Sequence, residues 1–305
     1  IETERASRRF AMDQNSAASA EKDRQKEKER FLIPVANPDT IENLVNLALV
    51  VRDPKSRESI VALNVINDSG SSEAGESVGR KSLERAAMIA SSADVRTDMV
   101  CRYDMNVASG IVHTLKEKNA TDLVIGLHQK SSILDSFFGS LTGNILKGTY
   151  REVMVARLEI PVNTLKGIVV TVPARAEFET GFARWSAHLC RMASQTGCRI
   201  HFHAEQETAD RLRDLVGRSE ARTLAVVETV ESQPFPDRMA SLKVSREQLL
   251  VIVSARAGSV SYDSAFDRLP ALINKNFAEN SLLILYPEQV DRQGVVSFTD
   301  PLGNA

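Results

Sequence analysis

Phe31-Leu32-Ile33-Pro34-Val35-Ala36-Asn37-Pro38 is where the chain first commits to a structure. Its first five residues are continuously apolar and partly β-branched, which reads as a short buried strand. Asn37-Pro38 breaks that strand, because proline fixes its own φ and steers the preceding residue away from helix. Asp39-x-x-Glu42 then has the spacing of a reciprocal helix cap. Ile41, Leu44, Val45, Ala48 and Leu49 follow on one helical face. A buried strand, a break and an amphipathic helix make one βα unit.

The unit recurs. Residues 60–66, 95–101, 123–125 and 153–156 read as further strands, with helices marked by Leu83-x-x-Ala86-Ala87, by Val107-x-x-x-Ile111-x-x-x-Leu115 and by residues 141–147. Strands apolar on both faces, alternating with helices, predict a parallel sheet covered on both sides. Near Gly167 the cycle restarts. Ile168-Val169-Val170-Thr171-Val172-Pro173 echoes the opening strand and its proline, a long helix is predicted over 178–194, and strands over 199–202, 223–227, 249–253 and 282–285. An offset of 128 residues lays Asp135-Ser136-Phe137-Phe138 over Asp263-Ser264-Ala265-Phe266, and Leu141 over Leu269. Matching order and spacing indicate a duplication, and the shorter intervals of the second copy indicate erosion. The expected fold class is α/β: two tandem doubly wound parallel sheets, residues 30–162 and 163–305, the second degenerate.

Bulk properties narrow the function classes. The 305 residues are 43% hydrophobic and 26% charged, with a net charge of −2, so nothing points to nucleic acid as a partner. Three cysteines without metal-type spacing suit a reducing compartment. The longest apolar runs, such as 47–51 and 249–253, fall far short of the roughly 20 residues a membrane helix needs. Fourteen of the first 29 residues are charged, seven of each sign, which predicts a solvated helix or linker. The chain opens with Ile1, as expected of a segment of a longer protein.

The junction after the fourth strand carries the one motif with chemistry in it. Gly126-Leu127-His128-Gln129 is followed, nine residues on, by Gly139-Ser140-Leu141-Thr142. Gly126 would end the strand in a tight turn, and Gly139-Ser140 would open the next helix. Free amides at a helix start, a glycine and two hydroxyls form a plausible phosphate cradle. In a doubly wound sheet it would lie at the carboxyl ends of the strands. Ordinary turn and capping chemistry explains the same residues and stays open.

The layout and this spacing resemble the universal stress protein family, whose ATP-binding members carry Gly-x-x-Gly, nine residues, Gly-Ser/Thr, and an Asp at the end of the first strand. The resemblance implies an adenine-nucleotide-binding α/β fold that commonly dimerises. Gly126, Gly139, Ser140 and Thr142 match the phosphate and ribose elements; Val35, Ala36, Asn37, Val65, His128 and Leu141 complete the implied ligand corner. Two positions depart: Gln129 replaces the second glycine, and Ala36 replaces the Asp, removing a ligand for the nucleotide or its metal. The implied ligand is therefore an adenine nucleotide or a cyclic dinucleotide, with no metal. In the second copy Asp267-Arg268 replaces Gly139-Ser140, and a carboxylate there would repel phosphate.

The charged leader, the two copies, and the closing Leu283-Ile284-Leu285-Tyr286-Pro287-Glu288-Gln289 together resemble the cytoplasmic tail of bacterial monovalent cation:proton antiporters. That resemblance implies a regulatory, non-enzymatic module at the cytoplasmic face of the inner membrane, partnered by the membrane transport domain of its own polypeptide and forming a homodimer. A free-standing tandem stress protein binding ATP and a purely structural dimerisation module are the alternatives. No nucleophile elbow, P-loop lysine or Cys/His cluster is present. His201-x-His203 places two imidazoles on one strand face without a visible third ligand, and His113 and His188 lie in helical patterns that ask for no special role.

Overall fold

In the computed structural model, residues 28–67, 73–127 and 141–290 are described, and strand and helix alternate through them. The first half runs β1 (Phe31–Pro34), α1 (Ile41–Val51), β2 (Ile60–Asn67), α2 (Glu73–Ser92), β3 (Thr97–Asp104), α3 (Val107–Glu117), β4 (Asp122–Gly126), α4 (Thr142–Gly148) and β5 (Glu152–Arg157). The second runs β6 (Gly167–Thr171), α5 (Phe182–Thr196), β7 (Arg199–Ala204), α6 (Gln206–Gly217), β8 (Ala225–Thr229), α7 (Phe235–Ser241), β9 (Gln248–Val253), α8 (Leu269–Asn276) and β10 (Ser281–Tyr286).

All ten strands lie in one sheet, in the order β3-β2-β1-β4-β5-β10-β9-β6-β7-β8. Counted within its own half, each set of five has the same order, third-second-first-fourth-fifth, as a doubly wound duplication requires. Pairing is parallel within each half and antiparallel only where β5 meets β10, with Val155 opposite Ile284 at the middle of the register. The expected tandem sheets are thus present, fused edge to edge about a pseudo-twofold axis. β5 and β10 are buried along their whole lengths, which accounts for their unbroken apolar character.

Two cores flank the sheet. Ile33, Val124, Met154, Ile168 and Leu283 pack beneath α1, α2, α5 and α6. Leu32, Val153, Val155, Leu250 and Ile284 pack beneath α3, α4, α7 and α8. Helices α4 and α8 are topological equivalents, beginning at Thr142 and Leu269, as the 128-residue offset expects to within a residue. The Asp135–Phe138 side of that match lies outside the described residues. Among the described residues no helix is long and apolar enough to cross a membrane.

The start of α1 differs from the capping-box expectation. Thr40 is the N-cap and has no side-chain cap bond; its hydroxyl donates to Asn37 O at 3.1 Å, and Asn37 Oδ1 accepts from Asp39 N at 3.1 Å. Glu42 pairs instead with Arg85 on α2, at 3.5 Å. An Asn-centred turn thus leads into the helix, holding Asp39 and Thr40 ahead of its first turn.

Across the seam each half ties up the other's loose carbonyls. Arg157 donates to Phe277 O at 2.6 Å and Asn280 O at 3.1 Å, just beyond α8. Arg256, after β9, donates to Leu146 O at 3.0 Å, to Thr149 O, and to Arg151 O at 2.5 Å, at the end of α4. Helix ends leave such carbonyls without intrahelical donors. Arg256→Met should therefore destabilise the chain by about 3 kcal/mol, since buried acceptors lose their partners; the urea midpoint would fall with little change in slope.

Candidate functional site

Strands β1 and β4 are adjacent, and the connections leaving them run to opposite faces, so their carboxyl ends frame the crevice of the first half. Val35 follows β1 and is buried, its amide donating to Leu63 O at 2.8 Å; Ala36 is exposed and Asn37 half-buried. Gly126 and Leu127 lie beside them, with Leu127 N donating to Ala156 O at 2.7 Å. His128, Gln129, Gly139 and Ser140 lie outside the described residues.

Three of the expected contact residues have clear local roles. A Cβ at Gly126 would fall 3.1 Å from Leu44 Cδ1 and 3.4 Å from Thr40 Oγ1, so glycine there admits the first turn of α1. Val65 packs against α3, where a Cβ on Gly110 would lie 2.8 Å from Val65 Cγ1. Leu141 is half-buried at the entry to α4. Thr142 is different: it is 1% exposed, and its hydroxyl has no hydrogen-bond partner among the described residues. A buried hydroxyl without a partner costs on the order of 1–3 kcal/mol, so this corner fits a ligand that brings a polar group.

A second constellation lies at the opposite ends of the strands and was not anticipated. Asp122 opens β4, Glu152 opens β5, and both are 0% exposed. Helix α5 of the second half lays Arg184, His188 and Arg191 over them. Arg184 grips Asp122 with two bonds, Nε to Oδ1 at 3.2 Å and Nη2 to Oδ2 at 2.5 Å. His188, 0% exposed, holds Glu152 Oε1 at 2.7 Å through Nδ1. Its Nε2 lies 3.5 Å from Glu29 Oε1 and 4.0 Å from Asp122 Oδ1. Arg191 completes the group with a two-pronged pair to Glu29, at 2.7 and 2.8 Å. Glu29 is the last acidic residue of the charged leader, so the cluster joins the leader, the first half and the second half at one point.

Charge counting assigns the protons. Three carboxylates face two guanidiniums, and the imbalance is met by an imidazolium at His188. Burial alone would lower His188, but Glu152 and Asp122 more than reverse this and lift it to about 9. Burial likewise works to raise Glu29, yet His188 and Arg191 hold it well below the ordinary carboxylate range. Burial pushes Glu152 up against the pull of His188. Asp122, Glu152 and His188 also bring three ligand-type atoms within 4.8 Å of one another, but Asp122 and Glu152 already have cationic partners within the protein.

The expectation that His188 has no special role is therefore corrected. A signal existed: Arg184, His188 and Arg191 fall at i, i+4 and i+7 on a helix face that otherwise packs inward, and Asp122 and Glu152 each immediately precede an apolar strand run. The His201-x-His203 pair also has a partner invisible in sequence. Glu228 on β8 sits between them, Oε1 3.3 Å from His201 Nδ1 and Oε2 3.4 Å from His203 Nδ1. In the second half Asp267 accepts from the Tyr262 hydroxyl at 2.8 Å.

No protein-family profile matches the chain, and no curated protein matches it. Solved structures do match. A universal stress protein from Archaeoglobus fulgidus DSM 4304 superposes with a TM-score of 0.57 at 16% identity, covering 87% of this chain and 98% of that one. The cytoplasmic domain of a prokaryotic cation chloride cotransporter gives 0.59 at 11% identity, covering 86% and 96%. A putative universal stress protein from Pseudomonas aeruginosa UCBPP-PA14 gives 0.52 at 12%, covering 85% and 94%. At these identities the likeness is one of fold: the chain has a universal-stress-protein-like architecture.

The buried cluster has a pH signature. Because His188 binds its proton more tightly when folded, its contribution is complete below about pH 6.5 and disappears as pH rises through about 9. Thermal stability should fall between about pH 7 and pH 9.5. His188→Gln should flatten that slope and, by leaving Glu152 unpaired, lower stability by about 3–5 kcal/mol.

Proposed function

We propose that the chain is a non-enzymatic regulatory module of a monovalent cation:proton antiporter, acting at the cytoplasmic face of the bacterial inner membrane on the transport domain of its own polypeptide. The observation that carries this reading is the anchoring of Glu29. The segment leading into the first strand is gripped by Arg191 and His188 of the second half, at the joint between the halves. A change in how the halves sit would reach that segment directly. The shared fold with a transporter's cytoplasmic domain supports the same reading.

The sensed ligand in this proposal is an adenine nucleotide or a cyclic dinucleotide at the first-half crevice. The Thr142 hydroxyl, without a partner among the described residues, and the crevice at the ends of β1 and β4 support it. The absence of a carboxylate at Ala36 weighs against a metal-dependent ATP site. Coupling requires only that the ligand favour one arrangement of the halves over another. A purely structural reading is favoured by one feature, the β5–β10 pairing, which already makes an internal dimer of the two repeats.

Thermal denaturation with AMP, ATP, cyclic AMP and a cyclic dinucleotide separates these readings. A sensed ligand at a hundredfold its Kd adds about 2.7 kcal/mol of stability, and Thr142→Val should reduce that gain. In the full-length transporter, Arg191→Met should alter cation/proton exchange in membrane vesicles. No shift with any nucleotide, together with unchanged exchange, would leave only the structural reading.

A further inference from the structure

The second half carries imidazoles where the first is apolar. Just past the first strand of each half, Val35 N donates to Leu63 O at 2.8 Å and Val172 N donates to His203 O at 3.0 Å. Leu63 of β2 therefore corresponds to His203 of β7, and Val61, two residues earlier on the same face, corresponds to His201. Val61 and Leu63 lie under the 11-residue helix α3. Its counterpart α7 has only 7 residues. The shorter helix leaves a cavity of about 400 Å³ against the sheet, lined by Val169, His201, His203, Arg238, Lys243 and Gln248 among others.

Arg238 forms its inner wall. The side chain is 4% exposed and stacks over the Phe235 ring at 5.6 Å. Nε and Nη1 donate no hydrogen bond among the described residues; the nearby Glu205 carboxylate is 3.8 Å from Nη1, an ion pair without a hydrogen bond. A guanidinium this deep normally has its donors filled, because leaving them empty is costly. On its other side lies a larger cleft of about 690 Å³ whose lining includes Glu177, Glu205, Glu207 and Asp263. Those carboxylates would repel an anion, so the histidine side is where Arg238 can receive one.

We propose that this cavity binds a small oxyanion, a phosphate ester or organic acid, held by Arg238 and the imidazoles of His201 and His203. Its volume exceeds that of a bare inorganic ion and is at the small end of metabolite pockets. Lys243 sits at the exposed rim and adds long-range attraction. The site is independent of the nucleotide reading, which concerns the first half alone. Binding should take up a proton. Burial lowers His203, as do His201 and Arg238 beside it, against the pull of Glu228 from β8; an anion arriving among these groups favours the imidazolium.

Calorimetric titration of the whole chain tests this, with sulfate as a phosphoryl stand-in of constant charge and with malonate as a dicarboxylate, against sodium chloride at matched ionic strength. One saturable site is expected for at least one of them, and which one binds assigns the head group. Sulfate, if bound, should bind about tenfold more tightly near pH 6 than near pH 8. His203→Gln should keep binding and lose most of that pH dependence. Arg238→Met should abolish binding, and Arg238→Lys, which keeps the charge without the planar fork, should weaken it about tenfold. The proposal is overturned if neither anion exceeds chloride, or if folded Arg238→Lys and Arg238→Met proteins bind as the parent does.

Discussion

Everything in this molecule is arranged around one antiparallel contact, β5 against β10. In a five-stranded unit of this order the fifth strand is an edge, with a row of unpaired amides and carbonyls and two faces apolar enough to need covering. Joining two such edges satisfies both at once, and it fixes where everything else must go. Helices α1 and α5 meet across the seam on one face, which brings Arg184, His188 and Arg191 over the acidic beginnings of β4 and β5. On the other face the same pairing brings Arg157 to the end of α8 and Arg256 to the end of α4. Each half thereby supplies the counter-charges and donors that the other lacks. Neither set of five strands is electrostatically complete by itself.

Much of this was legible in the sequence, and what was not has a common cause. Runs such as Val153-Met154-Val155-Ala156 and Leu282-Leu283-Ile284-Leu285 show that a strand is buried on both faces, and the strands appear there. The same runs carry no mark of direction, because an all-apolar strand accepts a parallel or an antiparallel neighbour equally well. The duplication was readable because α4 and α8 kept their spacing. The polar interior was not, because its members are remote in sequence: His188 and Glu152 are 36 residues apart, and Arg191 and Glu29 are 162 apart.

The candidate corner of the first half shows the same division. Gly126 matches a ligand-contacting glycine in sequence, and its position is equally dictated by Leu44 of the overlying helix and Thr40 at its start. Val65 is held by Gly110. Thr142 has a buried hydroxyl without a partner among the described residues, and a threonine in a polar motif does not announce that from sequence. In the second half the third helix has 7 residues against 11 in the first, and a polar recess stands where the first half has an apolar layer. The paired histidines show no third group in sequence because the Glu228 between them belongs to another strand.

Among the described residues the sheet has two free strand margins. β3 and β8 end the ribbon, about 43 Å apart at nine spacings of roughly 4.8 Å. Since the halves run in opposite directions, the two margins are antiparallel. Copies meeting through like margins, β3 to β3 or β8 to β8, would form closed pairs. Copies meeting β3 to β8 would always leave one of each unsatisfied and would extend without limit, the geometry of a filament. Asp98, Arg102 and Asp104 along β3 and Glu228 on β8 place charge at both margins, and charged margins are how folded sheets resist such stacking.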